Sequence, residues 1–237
     1  MKDPLLNIYE KYSTSPFLVK EIVWGARYCC IMLHNGQIGV CATLDNTSNI
    51  KADALQSPDF NILSHRILLN AYYNAVINEP KRIYFYGDIF QVVNFKKYSN
   101  IVMIGFFRPL VKKFMKADIS LSIFDRLDKD GPVLPDELQP AYIQKADALI
   151  LTATSIFNNT FLDIVNLTNK NCDVFVVGPS ALVSEVFFQY KNVKAIFGSL
   201  FKPFDTDVLK IIAEGYGTRM FAMRADKIFI KRSDFTF

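Results

Sequence analysis

The chain has 237 residues, 51% of them hydrophobic and 21% charged, so it can build a large core and is not a disordered segment. Its 27 basic and 23 acidic residues leave a net charge of +4, which argues against the concentrated basic face of a nucleic-acid-binding protein. No apolar run approaches the roughly 20 residues of a membrane helix. The opening MKDPLLNIYEKY lacks the apolar core of a signal peptide, so a cytoplasmic protein without membrane contact is expected.

Residues 4–17 read as a helix, with Leu5, Leu6, Ile8 and Tyr9 on its apolar side. In VWGARYCCIMLHNGQIGVCATL (23–44), two β-rich runs flank His34-Asn35-Gly36-Gln37. Asn-Gly favours a type I′ turn, so the stretch predicts a β-hairpin with His34 at its tip. Residues 45–60 are polar and irregular. Residues 61–78 then read as a helix, with Leu63, Ile67, Ala71 and either Tyr72 or Ala75 near one face, ended by Glu79-Pro80. Residues 1–82 are thus expected to form a small α+β domain. Cys29, Cys30 and Cys41 lie in strand-like text and Cys172 precedes another strand. None forms a CxxC, and buried free thiols are expected.

Residues 83–237 change to alternating strands and helices. Strands are predicted at 100–107, 117–126, 145–155 and 172–180, with a weaker one at 193–199 and an edge strand at 226–232. Helices are predicted at 107–116, 135–145, 159–169, 182–190 and 205–214. Near-continuous apolar strands are buried on both faces, as in parallel sheets. Alternation with helices gives a mostly parallel three-layer α/β domain.

In such a sheet, ligands bind outside the carboxyl ends of the strands. Those ends here read Gly105-Phe106-Phe107-Arg108, Thr152-Ala153-Thr154-Ser155 followed by Asn158-Asn159-Thr160, Gly178-Pro179-Ser180, and Gly198-Ser199. Glycines permit close backbone approach, hydroxyls and amides supply hydrogen bonds, and helix N-termini favour an anion. Ser180 and Thr160 also suit ordinary helix N-caps. Near the C-terminus, IIAEGYGTRMF (211–221) places Glu214 at the end of a helix marked by Gly215, where a carboxylate is electrostatically disfavoured unless paired, for example with Arg219. Asp125, after the second strand, is a weaker candidate of the same kind. There is no GxSxG, GxGxxG or GxxxxGK[ST], and two histidines do not support a Ser-His-Asp hydrolase.

Taken in order, ADALILTATSIFNNT, VFVVGPSALVSEVFF and IIAEGYGTRMF resemble the putative heavy-metal chelation family. The resemblance implies a Rossmann-like C-terminal domain preceded by a small domain similar to the enolase N-terminal domain. GQIGVCATL and the helix holding Asn70 match that small domain. Carried onto this chain, the family's site corresponds to Thr152, Thr154, Asn158, Thr160, Gly178, Pro179, Ser180, Glu214 and Gly215. The chain departs from the pattern at Ala153, Asn159, Ala181 and Tyr216, each of which adds a side chain where the family leaves space. The family name implies a metal ion or metal chelate as ligand, although the sequence shows no soft-ligand cluster.

These readings predict a protein that holds a small anionic ligand or metal–ligand complex in an interdomain cleft. Gly105, Arg108, Thr152, Thr154, Asn158, Thr160, Gly178, Pro179, Ser180 and Gly215 would bind it. Glu214 is the candidate base, and Glu214 and Asp125 are the candidate metal ligands. The alternatives are an enzyme using S-adenosylmethionine or a nucleotide-type cofactor, with Asp125 on the ribose, and a structural subunit. The 21 phenylalanines supply surface for a homodimer.

Overall fold

The computed structural model describes residues 1–79, 84–126, 131–190 and 192–236; Pro80 and the expected domain boundary at 82/83 lie outside them. Helix α1 (Pro4–Lys11) starts on Asp3, whose carboxylate accepts from Leu6 N at 2.9 Å. It ends at Lys11, where Tyr12 turns to extended backbone, and Pro16 opens a separate 3₁₀ turn.

Strands β1 (Val19–Trp24), β2 (Tyr28–Leu33) and β3 (Ile38–Ala42) form an antiparallel meander. The sequence predicts one hairpin here and the structure has two. Gly25-Ala26-Arg27 reverses the chain inside the first apolar run, with Gly25 N donating to Tyr28 O at 2.9 Å. The second turn is a three-residue loop rather than type I′. Of its residues only Gly36 takes a positive φ, 86°, and Asn35 instead accepts from Gln37 N through its side chain. Helix α2 (Leu63–Ile77) is buried at every position from 66 to 75, so it has no solvent face over that stretch. It packs on β2 and β3 from one side and meets the strand-end elements of the larger sheet from the other.

That sheet contains β4 (Phe85–Tyr86), β5 (Ile101–Ile104), β6 (Ser122–Phe124), β7 (Ala148–Thr152), β8 (Asp173–Val177), β9 (Val193–Phe201) and β10 (Ala225–Lys231). Its order is β4-β10-β9-β8-β7-β5-β6, with β5 to β9 parallel, β10 antiparallel to β9, and β4 antiparallel to β10. Strand β9 is the longest, although its sequence signal is the weakest of the five. Strand β10 is not an edge, because β4 pairs outside it.

Alternate residues face opposite layers. Ile101, Met103, Ile150 and Phe175 pack with Ile89 of α3 (Ile89–Val92) and with Leu110, Val111 and Phe114 of α4 (Arg108–Lys116). Val102, Ile104, Leu149, Leu151 and Val174 pack with Ile143 of α5 (Gln139–Lys145), Ile156 of α6 (Thr154–Phe157) and Phe161 of α7 (Phe161–Leu167). This double burial is why the strands read as continuous apolar runs.

The meander is itself covered on both sides. Cys29, Ile31, Leu33 and Cys41 face α2, whereas Cys30, Met32, Ile38 and Val40 face α8 (Thr206–Ala213) and α9 (Thr218–Phe221).

The predicted helix at 182–190 is replaced by an irregular stretch and a 3₁₀ turn, Glu185–Gln189. Side chains of α2 hold this segment's peptide groups. Asn70 Nδ2 donates to Ser180 O (3.0 Å), Asn74 Nδ2 to Pro179 O (3.1 Å) and Ala181 O (2.9 Å), and Asn78 Nδ2 to Ala181 O (3.0 Å). Asn78 Oδ1 accepts from Val183 N at 3.0 Å. With the carbonyls of 179–181 and the N–H of Val183 bonded sideways, those groups are not available to a helix starting at 182.

Candidate functional site at the switch point of the sheet

Numbered among themselves, the five parallel strands lie in the order 2-1-3-4-5. The first crossover leaves β5 in one direction and the chain later returns to its other side, so the topological switch point lies between β5 and β7. A crevice outside the carboxyl ends of those two strands is the expected ligand site of such a sheet.

Gly105 and Thr152 stand on either side of it. Gly105 has φ = 97°, and a Cβ there would come within 2.8 Å of the Thr152 Cβ and 3.4 Å of the Phe107 ring. Thr152 and Thr154 bring their hydroxyls together at 3.1 Å. Ser155 is turned away, donating its hydroxyl to Thr152 O at 2.7 Å. Gly178, with φ = 140°, closes the far side, 3.5 Å from the Ala153 methyl and 3.9 Å from Phe107 when given a Cβ. Arg108 begins α4 at the rim, with its guanidinium over the Phe106 ring at 5.3 Å. Asp125 shapes this turn from β6, its carboxylate accepting from Phe106 N at 2.6 Å.

Thus Gly105, Thr152, Thr154, Gly178 and the start of α4 with Arg108 come together. Other candidates sit elsewhere. Asn158 follows the single turn of α6, where its Oδ1 accepts from Thr160 N (3.2 Å) and from the Thr160 hydroxyl (2.7 Å). That end of α6 is drawn into the small unit by Arg66, only 4% exposed, which donates to Ile156 O, Phe157 O and Asp3. Ser180 is 2% exposed, and its hydroxyl oxygen accepts from Ala42 N at 3.0 Å, so it joins the two units. Pro179 contributes its carbonyl to Asn74. Glu214 is exposed at the end of α8, and among the described residues no ion pair joins it to Arg219. Gly215, at φ = 80°, packs beside Ala26 of the meander, its added Cβ falling 3.6 Å from the Ala26 methyl.

Sequence reasoning missed Phe107, whose ring lies between Gly105 and Gly178. It also missed a cavity of about 430 Å³ lined by residues 24–26 and 45–49, next to the turn that carries Gly215. Leu44 and Asp45, at its rim, both have positive φ, 51° and 60°. A polar loop was legible there, but its closeness to the Gly25-Ala26-Arg27 turn was not. A separate hollow of about 360 Å³ opens at the amino-terminal ends of β5 and β6, on the opposite edge from the switch point.

The departures from the family pattern also acquire positions. Ala153 and Ala181 are buried and pack inward, Asn159 takes a left-handed φ of 65° that a glycine would adopt without strain, and Tyr216 is exposed.

Fold and crevice together define a doubly wound α/β protein joined to a meander-and-helix unit. The chain belongs to the putative heavy-metal chelation family, DUF364, whose model matches residues 88–231. Two solved structures of that family, both of unknown function, share the fold. The protein from Desulfitobacterium hafniense DCB-2 is 18% identical, with a TM-score of 0.76 over 96% of this chain and 98% of that one. The protein from Pyrococcus horikoshii is 20% identical, with a TM-score of 0.78 over 97% and 100%. No curated protein matches the sequence. Among the described residues, no helix is long and apolar enough to cross a membrane.

The family name implies a heavy metal, which the donor set can test. The crevice offers hydroxyls, backbone groups and one carboxylate already bonded to Phe106 N, a poor match to a soft ion. Asp125 and Glu214 do not share a site. The first follows β6, whereas the second ends α8, which packs against the meander. Among the described residues, no three His, Cys, Asp or Glu side chains converge. The cysteines do better as a pair: Cys29 and Cys41 face each other across β2 and β3, both fully buried.

Proposed function

We propose that the chain binds a small anionic ligand, free or as the organic shell of a metal complex, in the switch-point crevice. The observation that carries this reading is the meeting of Gly105 and Thr152 at the point where the strand order reverses. Thr152 and Thr154 would donate hydroxyl hydrogen bonds. Arg108 and the amino end of α4 would supply positive charge, each charge–dipole contact contributing about 0.3–1 kcal/mol where exposed. The Phe107 ring would form an apolar wall. The four free thiols suit the reducing cytoplasm.

Use of an S-adenosylmethionine or nucleotide cofactor is less well supported. The acidic residue that reading needs for a ribose, Asp125, already holds the Phe106 amide.

Native mass spectrometry of protein purified without chelator, with elemental analysis of the same sample, tests the proposal. A small acid bound to the wild type and absent from Thr152→Val/Thr154→Val and Arg108→Gln proteins is the expected result. A clean apo mass, with no heat on titration of inorganic phosphate or citrate, would remove the crevice from consideration.

A further inference from the structure

Beyond the crevice, we propose that Cys29 and Cys41 form a two-thiol site for a soft metal ion that binds in linear coordination. The two residues are register partners in the antiparallel β2–β3 pair, so their side chains leave the sheet on the same face. Both pack in the cluster under α2. Directly opposed residues in such a pair hold their Cβ atoms about 4.5–5.5 Å apart. With metal–thiolate bonds of about 2.3 Å, an ion midway between two sulfurs needs them about 4.6 Å apart. The backbone register therefore presents the spacing this coordination requires.

The other two cysteines are excluded by position. Cys30 leaves the opposite face toward α8, and Cys172 precedes β8 in the other unit.

A second observation points to the same place. The Cys41 thiol faces Ala42 O at 3.5 Å, and the N–H of Ala42 donates to the hydroxyl of Ser180, the residue that Asn70 holds. Asn70 carries the one buried side-chain polar atom among the described residues that has no partner, its Oδ1. Its Nδ2 is already committed to Ser180 O. Buried acceptors without a partner are rare and mark a missing polar complement. The complex of a divalent ion with two thiolates carries no net charge and can stay buried in this apolar cluster. The amide oxygen is a hard donor and is not a third ligand to a soft ion.

Binding replaces two S–H bonds by two metal–sulfur bonds. Both protons leave to solvent and no oxidation state changes. The site has no open face, because both thiols are fully buried. Entry therefore requires α2 to part from the meander, and uptake is slow and tightens the fold.

The test uses full-length protein, reduced and desalted, titrated with mercuric chloride. Uptake is followed by thiolate-to-metal absorption, native mass and melting temperature. The wild type and a Cys30→Ala/Cys172→Ala variant are expected to hold one ion per folded chain, with two sulfurs in the X-ray absorption shell and a raised melting temperature. Cys29→Ala and Cys41→Ala are each expected to lose that ion. Either single variant that proves unfolded is replaced by the corresponding serine substitution. Retention of the ion without Cys29 or Cys41, or a melting temperature that falls on uptake by the wild type, overturns the proposal.

Discussion

At Gly105 the backbone and the crevice make the same demand. Its φ of 97° disfavours any side chain, and a methyl there would press on Thr152 at 2.8 Å. Gly105→Ala should destabilise the protein by about 1–3 kcal/mol, seen as a lower urea midpoint with an unchanged slope. Ligand binding should weaken in the same variant, because the methyl enters the crevice. Gly105, Thr152, Thr154 and Gly178 were legible as strand-end residues, since apolar runs that break at glycine or threonine mark the ends themselves. Ser180 looked equivalent and is not. Its acceptor role toward Ala42 N depends on a strand 138 residues away in sequence.

At the scale of elements, helix α2 is the clamp between the units. Asn70, Asn74 and Asn78 recur at four-residue spacing, which in a sequence suggests a polar stripe facing water. In the fold the stripe faces residues 179–183 and holds their peptide groups. Asn74 alone accepts from Val40 N and donates to two carbonyls. Asn74→Leu should therefore cost about 2–4 kcal/mol by equilibrium unfolding, since several buried groups lose their partner together. Amide exchange should rise first at residues 40 and 181–183. Little change at those amides would show that the clamp is not what orders the segment.

For the whole molecule, the two units share their apolar surface. Phe201, Val208, Leu209, Ile212 and Phe221 from the C-terminal unit are covered by the meander. A fragment of residues 84–237 should therefore expose this patch, bind an apolar dye and aggregate, whereas a monomeric, cooperatively melting fragment would show that the patch can be covered locally. Burial also sets a pH limit. The Cys172 thiol is pushed up to about 12 by desolvation, with Asp173 and Asp147 adding to the effect. The folded state thus holds a proton that the unfolded chain releases near pH 8.5. The contribution of Cys172 is full below that value and is lost by up to about 1.4 kcal/mol per pH unit between there and about 12, and burial of Cys29, Cys30 and Cys41 acts in the same direction. Cys172→Ala should reduce the slope by that one-thiol share, without abolishing it, in urea unfolding at pH 8, 9 and 10.

Local chemistry in the sequence determined the alternation of strand and helix, the parallel sheet, the glycines at its carboxyl edge and the buried state of the cysteines. Each of these follows from hydrophobic period, turn preference or side-chain volume over a short window. Tertiary structure alone decided the strand order that places the switch point beside Gly105 and Thr152, the use of α2 asparagines to hold the Gly178-Pro179-Ser180 exit, and the register that sets Cys29 opposite Cys41. Those outcomes depend on which distant backbone groups find each other when conformational entropy is lost on folding, and no local pattern encodes that pairing.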